Sequence, residues 1–527
     1  MEIHLRNLFF TLSLLVSIQV IGQQREIEKL GSTMELINTF YVDTVNNKKL
    51  VDEAIVKMLE ELDPHSVYIP AKDVKKANEP LVGNFEGVGI QFNILKDTIL
   101  VVATISGGPS EKVGLMAGDK IVMIDEENSA GVGFTNRDVV NRLRGDKGTK
   151  VTVGIKRKGS AKLIDFTITR DKIPLFSVDA SYMATPTTGY IKINRFAAKT
   201  VMEFNEALEK LRAQGLENLI LDLQGNGGGY LNAAFDLADQ FAGANELIVY
   251  TQGRRSPKQI LKATSAGVFE KGKLIVLVNE SSASASEIVA GAVQDLDRGI
   301  VIGRQTFGKG LVQKPFKLND GSMIRLTIAK YYTPSGRCIQ RPYEEGKREY
   351  YKDIRNRLKK GELMSMDSID FPDSLSYLTS NGRKVFGGGG IMPDIFVPLD
   401  TNEISDYYTK VVRKGILNQF VLSYLDHNRD DLKAAHVDLQ HYKENFSSEK
   451  ILTEFVAYAE KEGVEKNEED LKRSSNLMGV QLKALIARNL WNSSAYFEIF
   501  NDINPSVQEA LKVMDSKMFK QMKIAYK

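Results

Sequence analysis

One stretch, from Lys273 to Ser286, limits the choice of folds more than any other part of the chain. Its first half, KLIVLVN, is short, continuous and β-branched, which is typical of a buried strand. Small residues, Ser281 to Ala285, follow, and a helical pattern begins at Ser286. Such a strand–turn–helix can present a serine hydroxyl beside the free N–H groups of a helix N-terminus, where negative charge is favoured.

The clustered serines also have a purely structural interpretation. All of them are good turn and N-cap residues: Ser281, Ser282, Ser284 and Ser286. The residues alone do not decide which of the four, if any, is a nucleophile. The chain contains no histidine between Ser66 and Asp426, which argues against a Ser-His-Asp triad. A nucleophile at Ser284 would need a lysine or a carboxylate as its base.

Strand and helix patterns alternate from about residue 174 to 398, and this alternation predicts an α/β body. The strand-like run Asn218–Leu223 ends in a glycine-rich turn, Gly225–Gly229, whose amides can face an anion. Lys309 lies between two glycines on a loop after another strand, a poor place for a purely solubilising lysine. Neither loop fits a nucleotide-binding motif. Gly310, and not Ser or Thr, directly follows Lys309, and the glycine turn lacks G-x-G-x-x-G spacing.

A serine and a lysine together can form a nucleophile and its base. A lysine with an ordinary pKa near 10.4 is protonated at neutral pH, but burial among apolar groups lowers that pKa. Phe307, Leu311 and Val312 flank Lys309 and predict such surroundings. The neutral amine can then take the hydroxyl proton of Ser284 and return it to the leaving amine.

Length and composition set the wider frame. The 527 residues suggest about three domains. The segment LFFTLSLLVSIQVIG after Arg6 predicts a signal peptide over residues 1–22. We therefore expect an exported protein of the periplasm, associated with the cell membrane if the segment is kept as an anchor. Helical patterns cover residues 25–80 and 401–527.

Several ligand classes are disfavoured by composition. The formal net charge of +3 gives no reason to expect a nucleic-acid partner. Cys338 is the only cysteine, which excludes an intrachain disulfide and a cysteine-based zinc site. The C-terminal histidines His427, His436 and His441 do not have metal-ligand spacing.

Residues 85–171 change to short strands and glycine turns. The run GVGI, followed by GGPSEKVGLMAGDKIVMID and a later amphipathic helix, resembles a PDZ domain of the bacterial, circularly permuted kind. On its own, GVGI would be only a turn at the start of a strand. The resemblance implies that this loop binds a peptide's C-terminal carboxylate and that the peptide adds as a strand beside the helix. The loop residues are Gly87, Val88, Gly89 and Ile90.

The run SASASEIVAGAVQD, followed by GRQTFGKGLVQ, resembles the carboxyl-terminal processing peptidases, also called tail-specific proteases. LDPHS at 62–66, YYTPSGRCIQ at 331–340 and GGIMPDIFVP at 389–398 match further family signatures. The resemblance implies N-terminal helices, a PDZ domain, and a protease core at 174–398 of the crotonase/Clp protease type. It also implies that the enzyme uses no metal, no nucleotide and no other cofactor. It also implies a role for each of five residues: Ser284 as nucleophile, Lys309 as base, Gln313 orienting the lysine, and backbone N–H groups of Gly228 and Ala285 as the oxyanion hole.

Two parts of the chain depart from the family. The turn after Leu223 usually begins with arginine and contains proline, but here it has Gln224 and Gly227, and glycine loosens such a turn. The helical region 401–527 has no counterpart in the resemblance. We expect an exported serine endopeptidase that cuts polypeptides near their C-termini. Its further expected partners are an adaptor protein and a second copy bound through the terminal helices.

Two other functions compete with this interpretation. One is a peptide-binding chaperone that has lost catalysis, which the intact Ser284 and Lys309 argue against. The other is an acyl-transfer enzyme of the crotonase type, which the PDZ-like segment and the absence of a CoA-type signal disfavour.

Overall fold

The computed structural model describes residues 24–370 and 373–526. The predicted signal segment, residues 1–22, lies outside these ranges. Within them, no helix is both long and apolar enough to cross a membrane.

A six-stranded sheet forms the centre of the α/β core predicted at residues 174–398. Its strands, in sheet order, are Val178–Met183, Thr188–Ile193, Asn218–Asp222, Leu274–Val278, Ile300–Gly303 and Ile395–Phe396. The first two are antiparallel, and all later neighbours are parallel. The carboxyl ends of parallel strands meet at one edge, so the loops after Asp222, Val278 and Gly303 lie together, as ligand-binding loops of open α/β sheets do.

Helices cover both faces of this sheet, and for this reason the sequences of its strands are continuous apolar runs. One face packs against three helices: Thr200–Arg212, Leu231–Asp239 and Ala285–Asp295. The other packs against Pro505–Asp515 and Met518–Gln521. These last two helices lie in the region predicted as one C-terminal helical domain. They belong to the core instead, because they bury the side chains of Tyr190, Ile220 and Ile275.

A five-stranded antiparallel sheet lies beside the core. It contains Val67–Ile69, Met323–Tyr332, Leu247–Gln252 and Gln259–Lys262 in that order, with Leu311–Lys317 also pairing with Met323–Tyr332. The helices at its N-terminal side span 24–40, Asn47–Glu60 and Ala71–Val82. Between residues 347 and 386 the chain adds helices Lys347–Tyr350 and Asp353–Lys359 and a hairpin of Ser376–Leu378 with Lys384–Phe386. The strand Val67–Ile69 brings the N-terminal segment to the lysine loop.

The PDZ domain has its own sheet and core. The strands, in sheet order, are Ile90–Leu95, Thr98–Thr104, Lys120–Ile124, Lys150–Lys156 and Ile164–Thr169, with Glu127–Asn128 pairing with Lys120–Ile124. Its helices are Pro109–Lys112 and Asn136–Leu143. Strand Ile90–Leu95 ends the sheet, so within the described chain one of its edges is unpaired. A two-stranded ribbon of Asn84–Gly87 with Asp171–Pro174 joins the domain to the rest of the molecule.

Six helices form a separate C-terminal helical domain with its own core. They are Asp406–Arg413, Ile416–Ala435, Leu439–Asn445, Ser448–Lys461, Glu468–Leu490 and Ser493–Phe500. This domain bridges two others: Asp426 pairs with Lys120 of the PDZ domain at 2.9 Å, and Ser494 Oγ accepts from the N–H of Ser181 in the core at 3.1 Å. The predicted multidomain α/β fold class is confirmed.

Candidate active site

The sharp turn before helix Ala285–Asp295 places Ser284 in an unusual backbone conformation. Its φ is +57°, in the left-handed region that side-chain-bearing residues rarely adopt. The N–H of Ser284 donates to Glu287 Oε2 at 2.7 Å, which helps to hold this conformation. Strain of this kind is concentrated at functional sites.

The four clustered serines have different surroundings. Ser282 and Ser286 are fully buried, and their hydroxyls donate to the carbonyls of Leu223 and Asn226, each at 2.8 Å. Ser281 is exposed on the surface. Ser284 is half-buried and is the one of the four that lines a cavity. The structure therefore separates serines that the sequence could not.

That cavity has a volume of about 320 Å³ and lies at the carboxyl edge of the parallel strands. Its polar side chains are Asn78, Tyr230, Ser284, Lys309, Gln313, Arg325 and Tyr331. Its apolar side chains are Leu81, Leu231, Ile288, Leu311, Val312 and Pro315. A concave, mostly apolar site with a few convergent polar groups is the usual form of an active site.

Lys309 has the surroundings that the sequence predicts for a neutral amine. Burial lowers the pKa of Lys309 from its ordinary value, while the negative charges of Glu287 and Asp63 oppose this effect. Its Nζ donates to Gln313 Oε1 at 3.3 Å. Among the described residues, Lys309 Nζ makes no hydrogen bond to Ser284, although both side chains line the same cavity.

Gln313 connects the lysine to the N-terminal segment, since its Nε2 also donates to the carbonyl oxygen of His65. The ring of His65 is buried and its Nε2 lies 2.9 Å from the Tyr350 hydroxyl. Burial lowers the pKa of His65 to about 3. A group with so low a pKa is a poor base at neutral pH, so this histidine does not replace Lys309.

Glu287 holds the serine and lysine loops together, and the sequence analysis missed it. Its Oε1 accepts from Thr306 Oγ1 at 2.5 Å and from the N–H of Gly308 at 2.7 Å. Its Oε2 accepts from the N–H groups of Ser284 at 2.7 Å and Lys309 at 2.9 Å. Burial raises the pKa of this fully buried carboxyl, and the four hydrogen bonds oppose the rise. The available signal was the S-x-x-E spacing of a capping box.

Two further motifs support the same loops. The hydroxyl of Tyr331 lies within hydrogen-bonding distance of the carbonyl oxygens of Ser284, at 3.0 Å, and Lys309, at 2.6 Å. Gln340 Oε1 accepts from the N–H of Gly310 at 2.8 Å. Both belong to YYTPSGRCIQ, so this motif supports the lysine loop and does not line a separate site.

The glycine turn packs directly against Ser284. Gly228 has φ +99°, and a Cβ there would lie 2.9 Å from Ser284 Cβ, so a side chain does not fit. The N–H of Gly228 already donates to Asn226 Oδ1 at 2.9 Å. The oxyanion role predicted for Gly228 therefore requires this hydrogen bond to open. Among the described residues, the N–H groups of Ala285, Gly227 and Gly229 donate no hydrogen bond.

The predicted carboxylate loop of the PDZ domain has free donors. The carbonyls of Val88 and Gly89 accept from Ser110 at 3.1 Å and Ile105 at 2.9 Å, whereas their own N–H groups have no partner in the described chain. Gly89 has φ +78°, and a Cβ there would lie 2.9 Å from Ile173 Cδ1. The loop thus leaves donors at the start of the strand Ile90–Leu95, whose outer edge is unpaired in the described chain.

Family models match four parts of the chain. Peptidase family S41 matches residues 187–345, and the PDZ domain matches 87–168. The N-terminal domain of the activating protease CtpB matches 16–73, and a family of unknown function, DUF8443, matches 407–492. The fold and these matches define a serine peptidase that carries a PDZ domain.

Curated relatives narrow this class. The carboxy-terminal-processing protease of Bartonella bacilliformis is 37% identical over 345 residues, which cover 63% of this chain and 78% of the relative. CtpB, the carboxy-terminal processing protease of Bacillus subtilis, is 34% identical over 323 residues, or 60% of this chain and 66% of that one. The chain belongs to the carboxy-terminal processing protease family.

A solved structure of the photosystem II D1 C-terminal processing protease is also similar. It is 29% identical, with 58% of this chain and 82% of that chain covered and a TM-score of 0.35. The family assignment depends on the sequence matches and not on this superposition. The predicted family, PDZ domain and enzyme class are confirmed.

Proposed function

We propose that this carboxy-terminal processing protease is exported and uses a Ser284–Lys309 dyad to cut polypeptides near their C-termini. The observation that carries the dyad is the shared cavity. Of four clustered serines, one lines it, and the lysine that lines it has a lowered pKa. Each feature alone has a structural explanation, but together they are what nucleophile activation requires.

The chemistry follows from these groups. The neutral amine of Lys309 accepts the hydroxyl proton as Ser284 Oγ attacks the scissile carbonyl. The resulting ammonium donates that proton to the leaving amine, which departs as the acyl-enzyme forms. Water, deprotonated by the same amine, then hydrolyses the ester. Because the Lys309 amine donates its hydrogen bond to Gln313 in this structure, it must move toward Ser284 when substrate binds.

The oxyanion needs backbone donors near Ser284. The N–H of Ala285, at the first helical position, is a free donor favoured by the helix dipole. The second donor comes from the glycine turn: Gly228 if its bond to Asn226 opens, or a neighbouring glycine that already has a free N–H. Gln313 is a positioning residue, because it holds Lys309 Nζ and is itself held by the His65 carbonyl.

The dyad can be tested by measuring cleavage of an unfolded protein with an apolar C-terminal tail. Ser284→Ala and Lys309→Ala should each lower kcat by at least about 10³-fold. Ser281→Ala is the matched control, because it changes the exposed serine of the same turn and should keep the parent rate. Cleavage by either dyad variant at the parent rate would refute the proposal, as would inhibition by a metal chelator.

Export and the further partners are part of the same proposal. The N-terminal residue of the protein recovered from native membrane and periplasmic fractions should lie close to Gln23 if the signal segment is cleaved. An intact N-terminus in the membrane fraction would indicate an anchor, and recovery in the cytoplasm alone would refute export. A homo-oligomer or an adaptor would be detected as a larger species in the same fractions.

A further inference from the structure

The C-terminal helical domain lies against one face of the PDZ sheet. Lys120 Nζ contacts Asp426 Oδ2 at 2.9 Å, and Lys158 Nζ contacts the Asp426 carbonyl at 3.2 Å. Lys120 pairs with Leu100 across neighbouring strands, so both lie on the sheet face opposite the PDZ core. The helix Ile416–Ala435 therefore covers this outer face.

A bound peptide would add to the sheet beside strand Ile90–Leu95, and every second side chain of this strand also lies on the outer face. Ile90, Phe92 and Ile94 pack against the PDZ core and its helix Asn136–Leu143. Because side chains alternate along a strand, Gln91 and Asn93 lie on the opposite face, toward the C-terminal domain. A peptide added to this edge alternates in the same way, so every second side chain would face the C-terminal domain.

A cleft of about 470 Å³ separates the two domains at this point. Its PDZ wall includes the four consecutive residues Ile90 to Asn93, so it reaches the unpaired strand edge itself. The opposite wall is largely apolar, with Val421, Leu422, Leu485 and Trp491. The volume is within the range of ligand pockets.

One charged side chain, Arg488, lines the cleft. Arg488 is exposed, and within the described chain it makes no hydrogen bond or ion pair. Arg488 also lines a second cavity together with Asp179, and its positive charge lowers the pKa of that carboxyl against the dominant effect of burial. Beside it, Asn489 Oδ1 is buried without a hydrogen-bond partner, while its Nδ2 donates to the Leu485 carbonyl at 2.7 Å. A cation without a hydrogen-bonded or ion-paired carboxylate, beside a strand edge, complements an acidic side chain.

We propose that the C-terminal helical domain forms the second wall of the PDZ peptide groove, and that Arg488 selects tails with an acidic residue facing it. With the last side chain directed toward the helix Asn136–Leu143, alternation directs the second and fourth residues from the C-terminus toward Arg488. The inference rests on PDZ capture of the tail, which is part of the proposed function, but not on the dyad.

Binding can be measured without cleavage by using the full chain with Ser284→Ala. The probes are fluorescent peptides with an apolar last residue and Asp, Ala or Lys at the second or fourth position from the end. Fluorescence anisotropy gives Kd for each probe. With Arg488 present, an Asp tail should bind about two- to fivefold more tightly than the matched Lys tail, as expected for an exposed charge that attracts Asp and repels Lys.

Arg488→Glu should reverse this order, so that the Lys tail binds more tightly than the Asp tail. Lys433→Glu is the matched control, because it makes the same charge change at an exposed position of the same domain, outside the cleft. It should leave the order unchanged. Equal affinities for Asp, Ala and Lys tails, or no effect of Arg488→Glu, would overturn the selection by Arg488. No binding of any tail would instead overturn PDZ capture, and cleavage of the probes by the Ser284→Ala protein would overturn only the dyad.

Discussion

The candidate catalytic cavity, lined by Ser284 and Lys309, and the PDZ groove are held in place in contrasting ways. At the cavity, the serine and lysine loops share a carboxylate, Glu287, whose exposure is 0% and which accepts four hydrogen bonds. The PDZ domain is joined to the rest by a two-stranded ribbon and by polar contacts such as Lys120–Asp426, whose side chains are 35% and 20% exposed. Buried polar networks are rigid, whereas partly exposed ion pairs are weak.

This difference matches what the proposed function requires of each region. Proton transfer and oxyanion stabilisation require groups fixed to within a fraction of an ångström. Capture of tails with different sequences tolerates movement, because the main-chain hydrogen bonds of strand addition are independent of sequence. Changes at the cavity should therefore lower kcat strongly, and changes at the PDZ contact should alter KM weakly.

The largest effect is expected at Lys309. Lys309→Arg keeps the positive charge but removes the base, because a guanidinium stays protonated at any working pH. The kcat should fall by at least about 10³-fold. In the parent, kcat/KM should rise with pH through an apparent pKa below 10.5, because burial lowers the pKa of Lys309. A flat parent profile below pH 9 would contradict a lysine base.

The same lowered pKa has a consequence for stability, with a definite sign. Between the folded pKa of Lys309 and its unfolded value of 10.5, the unfolded chain binds more protons. The free energy of unfolding contributed by Lys309 is therefore fully present above the unfolded pKa and is lost as pH falls through the folded pKa. Urea denaturation of Lys309→Met across this range should show a weaker pH dependence than the parent.

The next largest effect is expected at Glu287. In Glu287→Gln an amide NH₂ replaces one acceptor oxygen, so two buried donors lose their acceptor. This should lower the free energy of unfolding by about 2–4 kcal/mol, and kcat by about 10²-fold because the two loops lose their common contact. Urea denaturation and cleavage kinetics measure these quantities.

Glu206→Gln is the control for this change, since Glu206 is exposed on helix Thr200–Arg212 and makes no hydrogen bond in the described chain. A Glu287→Gln variant that is less stable but retains the parent kcat would show that the carboxylate supports the fold alone.

Features that depend on neighbouring residues could be predicted from the sequence, whereas contacts between distant parts of the chain could not. The strand–turn–helix around Ser284, the lysine between glycines and the PDZ loop are local patterns, and all were visible in the printed residues. Glu287 was visible too, but a capping-box glutamate has an ordinary explanation at a helix N-terminus. Its contacts with Gly308 and Lys309 depend on the fold of a loop 21 and 22 residues further along the chain.

Long-range packing could not be predicted in the same way. His65 approaches the lysine because strand Val67–Ile69 pairs with Met323–Tyr332, more than 240 residues along the chain. The helix Pro505–Asp515 joins the core because the central sheet has a second apolar face to bury. A helical pattern indicates that a face will be buried, but not which surface buries it.

An intermediate effect is expected at Gln313, which links the cavity to the N-terminal segment. Gln313→Ala removes the contact to Lys309 Nζ and should lower kcat by about tenfold with little change in KM. Lys314→Ala, at the exposed neighbouring position, should behave like the parent. A Gln313→Ala protein with parent kcat would show that the cavity itself positions Lys309.

The smallest effect is expected at the contact between the PDZ and C-terminal domains. Asp426→Lys places like charges together at Lys120, yet partly exposed pairs contribute only about 0.2–1 kcal/mol. We expect KM for a tailed substrate to change by no more than about fivefold, with kcat unchanged. The double variant Lys120→Asp with Asp426→Lys should restore the parent KM, and raising the salt concentration should reduce the effect of the single change, because exposed charges are screened. A large fall in kcat for Asp426→Lys alone would show that this weak contact also controls the cavity with Ser284 and Lys309. The contrast between a rigid cavity and a loosely held PDZ domain would then be wrong.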